Sequence, residues 1–319
     1  MCGIIGYAGP RPCKDIILDG LEALEYRGYD SAGMVLVEDD RLSVVRRTGS
    51  VARLREIAGE PSDATLGMGH TRWATHGGVE DRNAHPFLSN DGRFAVLMNG
   101  IFENYVELRR EVSEKGYELS SDTDTEALVH LIADVYDGDL VEAVRTVYPR
   151  LEGHFAFLVV ALDQPDTIVA ARLAWPPLVV GVGEGEMFIA SFVPAFLTET
   201  RRVQHVQEGE IVELRPEGAT FHPLAAGAPL LERAVEEVDA SLEVAEMGGY
   251  ETFMMKEITE QPTAIGATIG ERIQAGRITL DGIGLTDAEL VQIRRVLIVG
   301  CGTALHAGLV GRYLIEEWA

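Results

Sequence analysis

The second residue of the 319-residue chain is a cysteine, directly after the initiator methionine. If Met1 is removed, Cys2 carries a nucleophilic thiol and a free α-amine in one residue. An α-amine titrates at about 7.7–8.0, so it can accept the thiol proton near working pH without a histidine. The ordinary alternative for such a cysteine is a small buried side chain. Its position therefore predicts a nucleophile that carries its own general base.

A second candidate is the segment 71–77, which reads Thr-Arg-Trp-Ala-Thr-His-Gly. Arg72 can bind a carboxylate through two parallel hydrogen bonds, and Thr75 and His76 offer further polar contacts. Such a set suits an amino-acid ligand. Alone it is a weak signal, because Arg72 and His76 could be surface residues and Trp73 a core or rim aromatic.

Two further candidates follow along the chain. Asn99-Gly100 comes directly after a predicted strand and is ordinarily a turn dipeptide. Alternatively, the Asn99 amide and the Gly100 N–H are the two donors that an oxyanion hole requires. Asp124 either caps a helix or receives a substrate ammonium group. Each candidate alone favours a structural role, but together, in this order and with cysteine at position 2, they indicate catalysis.

This combination resembles the class II glutamine amidotransferases, and within them the isomerising glutamine–fructose-6-phosphate aminotransferases. The resemblance spans essentially the whole chain and rests on the segments 2–6, 24–33, 69–77, 83–86, 99–105, 121–126, 256–262 and 300–303. Segments 24–33 and 256–262 favour the enzymes that act on a sugar phosphate over other members of the class.

The resemblance implies an α+β fold: a four-layer αββα glutaminase domain of the N-terminal-nucleophile (Ntn) type, followed by a connector and the first βα unit of a sugar-isomerase (SIS) domain. It implies that Cys2 is the nucleophile with Arg27 close to it, and that Asn99 and Gly100 form the oxyanion hole. The residues that it implies for binding L-glutamine are Arg72, Trp73, Thr75, His76, Gly100 and Asp124. Trp73 would also belong to a loop that closes over glutamine.

In the family, cysteine attacks the glutamine side-chain amide, releases ammonia and leaves a γ-glutamyl thioester that water hydrolyses. The ammonia travels through an internal channel to fructose 6-phosphate and gives glucosamine 6-phosphate. The resemblance also implies homo-oligomers for the full-length family. We expect no cofactor and no metal.

Several positions depart from the family pattern. Met98 stands where a histidine is usual, and we expect a modest effect because it is a neighbour of the donors. The segment 173–178 replaces a Gly-Ser-Pro-Leu turn, and Phe192 replaces an aspartate. These two changes bear on the packing of the loops that support the glutamine pocket. Ala304 replaces a serine.

The family's main phosphate-binding loop, isomerase residues and Schiff-base lysine would all lie beyond residue 319. None of the three lysines of the chain sits in a matching motif. Thr303, in a Gly turn before a predicted helix, is a weak candidate for a sugar-phosphate contact. We therefore expect hydrolysis of glutamine, but no glucosamine 6-phosphate from this chain alone. The alternatives are a non-catalytic glutamine-binding or regulatory protein that pairs with another SIS-containing chain, or the glutaminase half of another ammonia-transferring enzyme.

Hydrophobic periodicity predicts the elements that must position these residues. Strands are predicted over 3–8, 32–38, 43–48, 66–70, 94–99, 155–162, 167–171, 179–182, 187–190 and 211–214. Helices are predicted over 13–26, 51–57, 103–115, 124–136 and 140–147. Since the strands come in groups, α+β layers are favoured over a doubly wound sheet.

Composition changes near residue 225 and suggests three parts. Residues 2–224 are expected to form the glutaminase domain, 225–294 a linker with connecting helices, and 295–319 the start of the SIS domain. Within the middle part, the acidic run 232–246 is predicted to be a solvated helix and 250–278 a connecting helix. Residues 295–303 are predicted to form a strand that enters a Gly turn, and 304–318 an amphipathic helix.

Charge and composition exclude other classes of function. A net charge of −24 without a basic patch argues against nucleic-acid and anionic-membrane partners. We find neither a signal peptide nor an apolar run long enough to span a membrane, so a cytoplasmic location is expected. Three cysteines without CxxC spacing encode no disulfide framework and no zinc site.

Overall fold

The computed structural model describes residues 2–238, 250, 253–270, 272–274, 277–278, 284–300 and 302–318. The chain divides into two compact units, Met1–Phe253 and Met254–Ala319, and each is described by itself. The part of the predicted acidic helix beyond residue 238, up to 246, lies outside the described residues.

The described residues of the first unit form two antiparallel sheets. In chain order the strands are β1 (Gly3–Ala8), β2 (Ser31–Val37), β3 (Leu42–Thr48), β4 (Leu66–Arg72), β5 (Phe87–Leu88), β6 (Phe94–Phe102), β7 (Gly153–Ala161), β8 (Ile168–Leu173), β9 (Val179–Val182), β10 (Met187–Ala190), β11 (Arg202–His205), β12 (Glu210–Arg215), β13 (Gly218–Pro223) and β14 (Glu236–Glu237). The larger sheet has the order β14-β11-β9-β10-β1-β4-β2-β3, and the smaller has the order β13-β12-β8-β7-β6-β5. Strand β1, which follows Cys2, is therefore central in the larger sheet, and β6, which holds Asn99, lies next to the edge of the smaller one.

Among the described residues of this unit, five α-helices cover the outer faces of the sheets. They are α1 (Cys13–Leu24), α2 (Val51–Ile57), α3 (Tyr105–Glu114), α4 (Thr125–Val135) and α5 (Leu140–Val147). Helices α1 and α2 contact the larger sheet, whereas α4 and α5 contact the smaller one. Helix α5 illustrates how the sequence specifies a helix. The Asp139 carboxylate accepts the Glu142 N–H at 3.0 Å as an N-cap, and the apolar face of the helix is buried.

The strands are apolar on both faces because each sheet is covered on both sides. In β7, Phe155 and Phe157 pack into the core under the helices, whereas Ala156 and Leu158 pack into the core between the sheets. Complete burial of such a side chain stabilises the fold by about 1.5–3 kcal/mol. A third core joins α1 and α2 to the larger sheet. The predicted four-layer αββα architecture is confirmed.

Most predicted elements of this unit form within two or three residues of the predicted ends. Strands β5, β11, β13 and β14 were not predicted, because they are short or rich in polar residues. The described part of the acidic run is not helical: Glu236–Glu237 is the strand β14, which pairs with Arg202–Val203 of β11. The helix prediction was wrong there because that edge strand offers free backbone partners to an extended segment.

The second unit contains the helices α6 (Phe253–Gly270), α7 (Asp287–Leu290) and α8 (Gly302–Trp318) and a small hairpin of β15 (Ile273–Gln274) and β16 (Arg277–Ile278). The connecting helix predicted over 250–278 is therefore correct for 253–270 and wrong at the hairpin. Helix α8 forms as predicted, but the strand predicted over 295–303 does not form: residues 295–300 are not in a strand, and 302–303 belong to α8. A strand needs a neighbour for its backbone hydrogen bonds, and none pairs with this segment in the described part of the unit. No described helix is long and apolar enough to cross a membrane.

Candidate active site

Cys2 lies at the start of β1, in the middle of the larger sheet. Antiparallel pairing puts Gly3 opposite Thr71 at the end of β4, and the Gly3 N–H donates to Thr71 Oγ1 at 3.1 Å. The same register brings Cys2 to Trp73, whose backbone N–H donates to Cys2 Sγ at 3.2 Å. The sheet thus fixes the predicted nucleophile against the segment predicted to bind an amino acid.

The environment of Cys2 makes a base necessary. Burial raises the pKa of the Cys2 thiol above its ordinary value, while the Trp73 N–H lowers it by donating to sulfur. The thiol is therefore protonated at neutral pH until a base removes the proton. The α-amine that removal of Met1 would create belongs to the same residue and suits this task.

Asn99 and Gly100 come from the other sheet. Asn99 Nδ2 donates to the Cys2 carbonyl oxygen at 3.1 Å, which brings the predicted oxyanion donor beside the predicted nucleophile. The two residues do not form a turn: both lie within β6, paired with Ala156 and Phe155 of β7. The structural alternative for this dipeptide is therefore wrong.

Gly100 adopts a backbone conformation that few other residues tolerate. Its φ is +101°, and a Cβ at this position would lie 1.9 Å from the His154 carbonyl oxygen. Glycine is required here because β6 and β7 approach closely and the backbone adopts a positive φ.

We expect Gly100→Ala to destabilise the first unit by several kcal/mol, because it adds a backbone clash to the cost of positive φ. Gly92→Ala is the matched control: its φ is +72°, but a Cβ would meet nothing within 4 Å. The control should cost only about 1–2 kcal/mol. Thermal unfolding followed by circular dichroism measures both, and equal losses of stability would contradict the role of the His154 contact.

Arg72 is the last residue of β4 and is buried. Its guanidinium donates to the carbonyl oxygens of His76, Gly77 and Gly78, and so holds the loop that follows Trp73. Burial lowers the pKa of Arg72, although the nearby acidic groups of Cys2, Asp124 and Asp30 oppose that shift. Arg72 is therefore both a loop anchor and a positive charge beside Cys2.

The other residues of this loop differ in exposure. Trp73 is 42% exposed, and its ring meets Tyr29 edge-on at 5.5 Å. Thr75 is exposed, and the His76 ring lies 4.1 Å from that of Tyr105. An exposed tryptophan on a loop that begins beside Cys2 is suited to cover a bound ligand.

Asp124 precedes α4 but makes no side-chain capping hydrogen bond to that helix. Instead, its Oδ2 accepts the backbone N–H of Phe102 in β6 at 2.8 Å. Burial raises the pKa of Asp124, and the Phe102 N–H acts in the opposite direction. The capping explanation does not account for this carboxylate, which binds the backbone of Phe102, two residues along β6 from Gly100.

Arg27 ends a 3-10 turn after α1 and stacks its guanidinium over Phe192 at 4.7 Å. Phe192 follows Ser191, whose Oγ accepts the Ile4 N–H at 3.0 Å. Next to Arg27, Gly28 packs so tightly on the peptide between Arg72 and Trp73 that a Cβ would lie 2.7 Å from it. Arg27 and the departure at Phe192 therefore meet beside the start of β1.

The segment 173–178, the other departure, begins at the end of β8. Ala174 has a φ of +62°, and Arg172 donates to the carbonyl oxygens of Ala174 and Pro176. Trp175 is 61% exposed and lies 6.2 Å from the His154 ring. The altered loop is thus tied to the strand and adjoins the residue behind Gly100.

Asp30 is a site residue for which we predicted no role. Its Oδ2 accepts the Ala74 N–H at 2.8 Å, and its own N–H donates to the Arg72 carbonyl oxygen at 3.0 Å. The signal for Asp30 in the sequence was an acidic residue within the motif 24–33, directly before the apolar strand β2.

Thr303 lies in the second unit, in α8, and is exposed. The described residues contain no group of three or more His, Cys, Asp or Glu side chains that could hold a metal ion.

The site can now be compared with known proteins. The family model described as a glutamine amidotransferase domain matches residues 52–222. The chain belongs to the glutamine amidotransferase family.

Within this family, the chain is similar to one group of curated enzymes. Glutamine–fructose-6-phosphate aminotransferase [isomerizing] of Symbiobacterium thermophilum is 52% identical over 322 residues, which cover 100% of this chain and 52% of the relative. The enzyme of the same name from Streptomyces coelicolor is 47% identical over 323 residues, with the same coverage. The resemblance to these aminotransferases is confirmed, and the chain spans about half the length of the curated relatives it matches.

A solved structure shares the fold. Glutamine phosphoribosylpyrophosphate amidotransferase from B. subtilis, in complex with ADP and GMP, matches with a TM-score of 0.62 at 24% identity. The match covers 71% of this chain and 50% of that one. It supports the Ntn glutaminase architecture and no finer conclusion.

Proposed function

We propose that the chain hydrolyses the side-chain amide of L-glutamine with Cys2 as the nucleophile. The observation that carries this proposal is the 3.1 Å contact between Asn99 Nδ2 and the Cys2 carbonyl oxygen, which joins nucleophile and oxyanion donor across the two sheets. Membership of the glutamine amidotransferase family favours this function over a non-catalytic binding role.

The reaction follows from the positions of these groups. After removal of Met1, the Cys2 α-amine accepts the thiol proton, and the thiolate attacks the amide carbon of glutamine. The carbonyl oxygen becomes an oxyanion, which the Asn99 amide and the Gly100 N–H stabilise as hydrogen-bond donors. The protonated α-amine returns its proton to the leaving nitrogen, ammonia departs, and a γ-glutamyl thioester remains. Water then hydrolyses the thioester, which gives glutamate and restores the thiol.

The α-substituents of glutamine would be held by opposite charges. Arg72 would bind the α-carboxylate, and Asp124 would bind the α-ammonium group. Trp73, Thr75 and His76 would complete the pocket from the loop that Arg72 anchors. Arg27 would support the start of β1 beside Cys2.

We expect Asp124→Asn to raise the KM for glutamine about 10- to 100-fold, because it removes a charge-assisted hydrogen bond worth about 1.5–3 kcal/mol. The matched control is Asp122→Asn, since Asp122 is half exposed and pairs with Arg82 at 2.6 Å. The control should change KM less than about 2-fold. Steady-state glutamate release measures both, and an unchanged KM in Asp124→Asn would remove Asp124 from the binding site.

The same substitution should stabilise the fold at neutral pH. Because burial raises the pKa of Asp124, the folded state binds its proton more tightly than the unfolded chain does. The tighter proton binding contributes to the free energy of unfolding. That contribution is complete below the ordinary aspartate pKa of about 3.9 and is lost as pH rises through the raised pKa of folded Asp124. Asp124→Asn removes the ionised group, so we expect the Tm at pH 8 to rise above that of the wild-type chain. A matching rise at pH 3 would contradict this cause.

For the complete protein we propose that the ammonia is transferred to fructose 6-phosphate, as the names of the relatives indicate for those enzymes. The 319-residue chain alone should release glutamate and form no glucosamine 6-phosphate. An assay of both products, with and without fructose 6-phosphate, tests this expectation. The sugar-phosphate contact of Thr303, the domain limits at 224 and 294, the cytoplasmic location and a homo-oligomeric state stay predictions.

A further inference from the structure

Two buried histidines lie behind the oxyanion donor. His70, in β4 of the larger sheet, contacts Asn99 Oδ1 through Nε2 at 3.1 Å, across to β6 of the smaller sheet. The His85 ring stacks on that of His70 at 4.3 Å, with an angle of 21° between the planes. His85 Nδ1 accepts the backbone N–H of Met98 at 3.1 Å. One histidine therefore holds the side chain of Asn99, and the other holds the backbone just before it.

These contacts define the orientation of the Asn99 amide. The Cys2 carbonyl oxygen can only accept a hydrogen bond, so the atom of Asn99 that faces it must be Nδ2. Oδ1 then faces His70, whose Nε2 must carry a proton. If His70 offered no donor there, Asn99 could flip and turn Oδ1 toward Cys2. The donor for the oxyanion would then be replaced by an acceptor.

Both histidines are neutral in this arrangement. Burial lowers the pKa of His70 to about 3, and the positive charge of Arg72 acts in the same direction. Burial also holds the pKa of His85 well below its ordinary value. His70 is therefore neutral at working pH with its proton on Nε2, and His85 has a free Nδ1 for the Met98 N–H.

We propose that His70, braced by His85, is a positioning residue that locks the Asn99 amide with Nδ2 toward Cys2 and the developing oxyanion. The proposal rests on the proposed hydrolysis of glutamine, which it deepens. His70 acts through Asn99 and does not touch the reacting atoms. The neighbouring departure at Met98 leaves this device intact, because only its backbone N–H is used.

The test compares two amide side chains at position 70. In His70→Gln, the amide nitrogen reaches about as far as Nε2 and can still donate to Asn99 Oδ1, whereas in His70→Asn it stops at the depth of Nδ1. We expect His70→Asn to lower kcat for glutamine hydrolysis about 10- to 100-fold, below the 10²–10³-fold loss of a whole donor. KM should change less than about 3-fold, and His70→Gln should stay within about 5-fold of the wild-type kcat.

A double-mutant cycle separates positioning from general support of the fold. In an Asn99→Ala background, His70→Asn should lower kcat no further, because His70 then has no side chain to orient. His130→Asn is the control for losing a buried histidine: His130 lies in α4, and its ring stacks on that of Tyr117 at 4.8 Å. It should lower the Tm without changing kcat. Equal kcat in His70→Asn and His70→Gln, or additive losses with Asn99→Ala, would overturn the proposal.

A measurement without turnover keeps the two proposals distinguishable. If the wild-type chain released no glutamate, the proposed function would fail, but the side-chain amide resonances of Asn99 in a ¹⁵N NMR spectrum would still report its orientation. We expect these resonances to shift in His70→Asn and to return in His70→Gln. Resonances that do not move in His70→Asn would overturn the positioning role, whatever the activity.

Discussion

Replacement of Cys2 by alanine is expected to lower the rate of glutamate release from glutamine by at least about 10⁴-fold. The thioester cannot form without the sulfur, and loss of a nucleophile in comparable enzymes costs up to about 10⁶-fold. The variant should still fold, because the substitution removes only the sulfur atom of a residue that precedes β1. It should also bind glutamine with nearly the wild-type Kd, since the residues proposed to bind glutamine, such as Arg72 and Asp124, are unchanged. A steady-state assay and isothermal titration calorimetry measure the two effects.

Cys13→Ala is the matched control. The Cys13 thiol is buried in α1, and burial raises its pKa to about 12, so it supplies no thiolate at neutral pH. Its removal should lower the Tm slightly and leave kcat unchanged. Full glutaminase activity in Cys2→Ala would exclude Cys2 as the nucleophile.

Replacement of Asn99 by alanine should lower kcat about 10²–10³-fold, the usual effect of removing one oxyanion donor. KM should change less than about 3-fold, because the donor acts on charge that develops only in the transition state. Gly100 would still supply its N–H, which explains why activity should be reduced and not abolished.

Asn90→Ala serves as the comparison for this substitution. Both amide atoms of Asn90 bond to the backbone of Glu118, 2.9–3.0 Å away, so its role is to join two loops. It should reduce stability and leave kcat within about 2-fold. A loss in Asn99→Ala that appeared in KM alone would indicate a binding residue and contradict the oxyanion role.

The sequence predicted the layers better than the ends of the strands. The apolar runs of β1, β9 and β10 were long and uninterrupted enough for their limits to match. Strand β6 was expected to end at Asn99 because Asn-Gly is a strong turn signal. It continues to Phe102, since Gly100 adopts positive φ while remaining paired with Phe155. The pairing of β6 with β7 therefore outweighs the local turn preference of Asn-Gly at this position.

The identity of the site residues was predictable, but many of their contacts were not. Two-pronged binding of a carboxylate was expected of Arg72, yet three carbonyl oxygens of its own loop already accept from its guanidinium. The contact of His70 with Asn99 joins residues on different sheets, 29 positions apart. Such contacts depend on how the layers pack, which hydrophobic periodicity does not specify.

The strand predicted at 295–303 shows a second limit. The run Val296–Val299 is apolar enough for a buried strand, but the described residues offer it no partner, and these side chains are exposed. Periodicity reports which residues favour burial, whereas a strand also requires a neighbour. Prediction from the sequence was therefore weakest where the necessary contacts lie outside the local segment.

The most direct test of Cys2 as an N-terminal nucleophile is the intact mass of a preparation whose rate of glutamate release is measured on the same sample. We predict a chain that begins at Cys2, lighter by one methionine residue than the full sequence. In preparations of mixed processing, the rate should rise in proportion to the processed fraction. A chain that retains Met1 and still hydrolyses glutamine at the full rate would contradict the central claim, because its Cys2 would have no free α-amine.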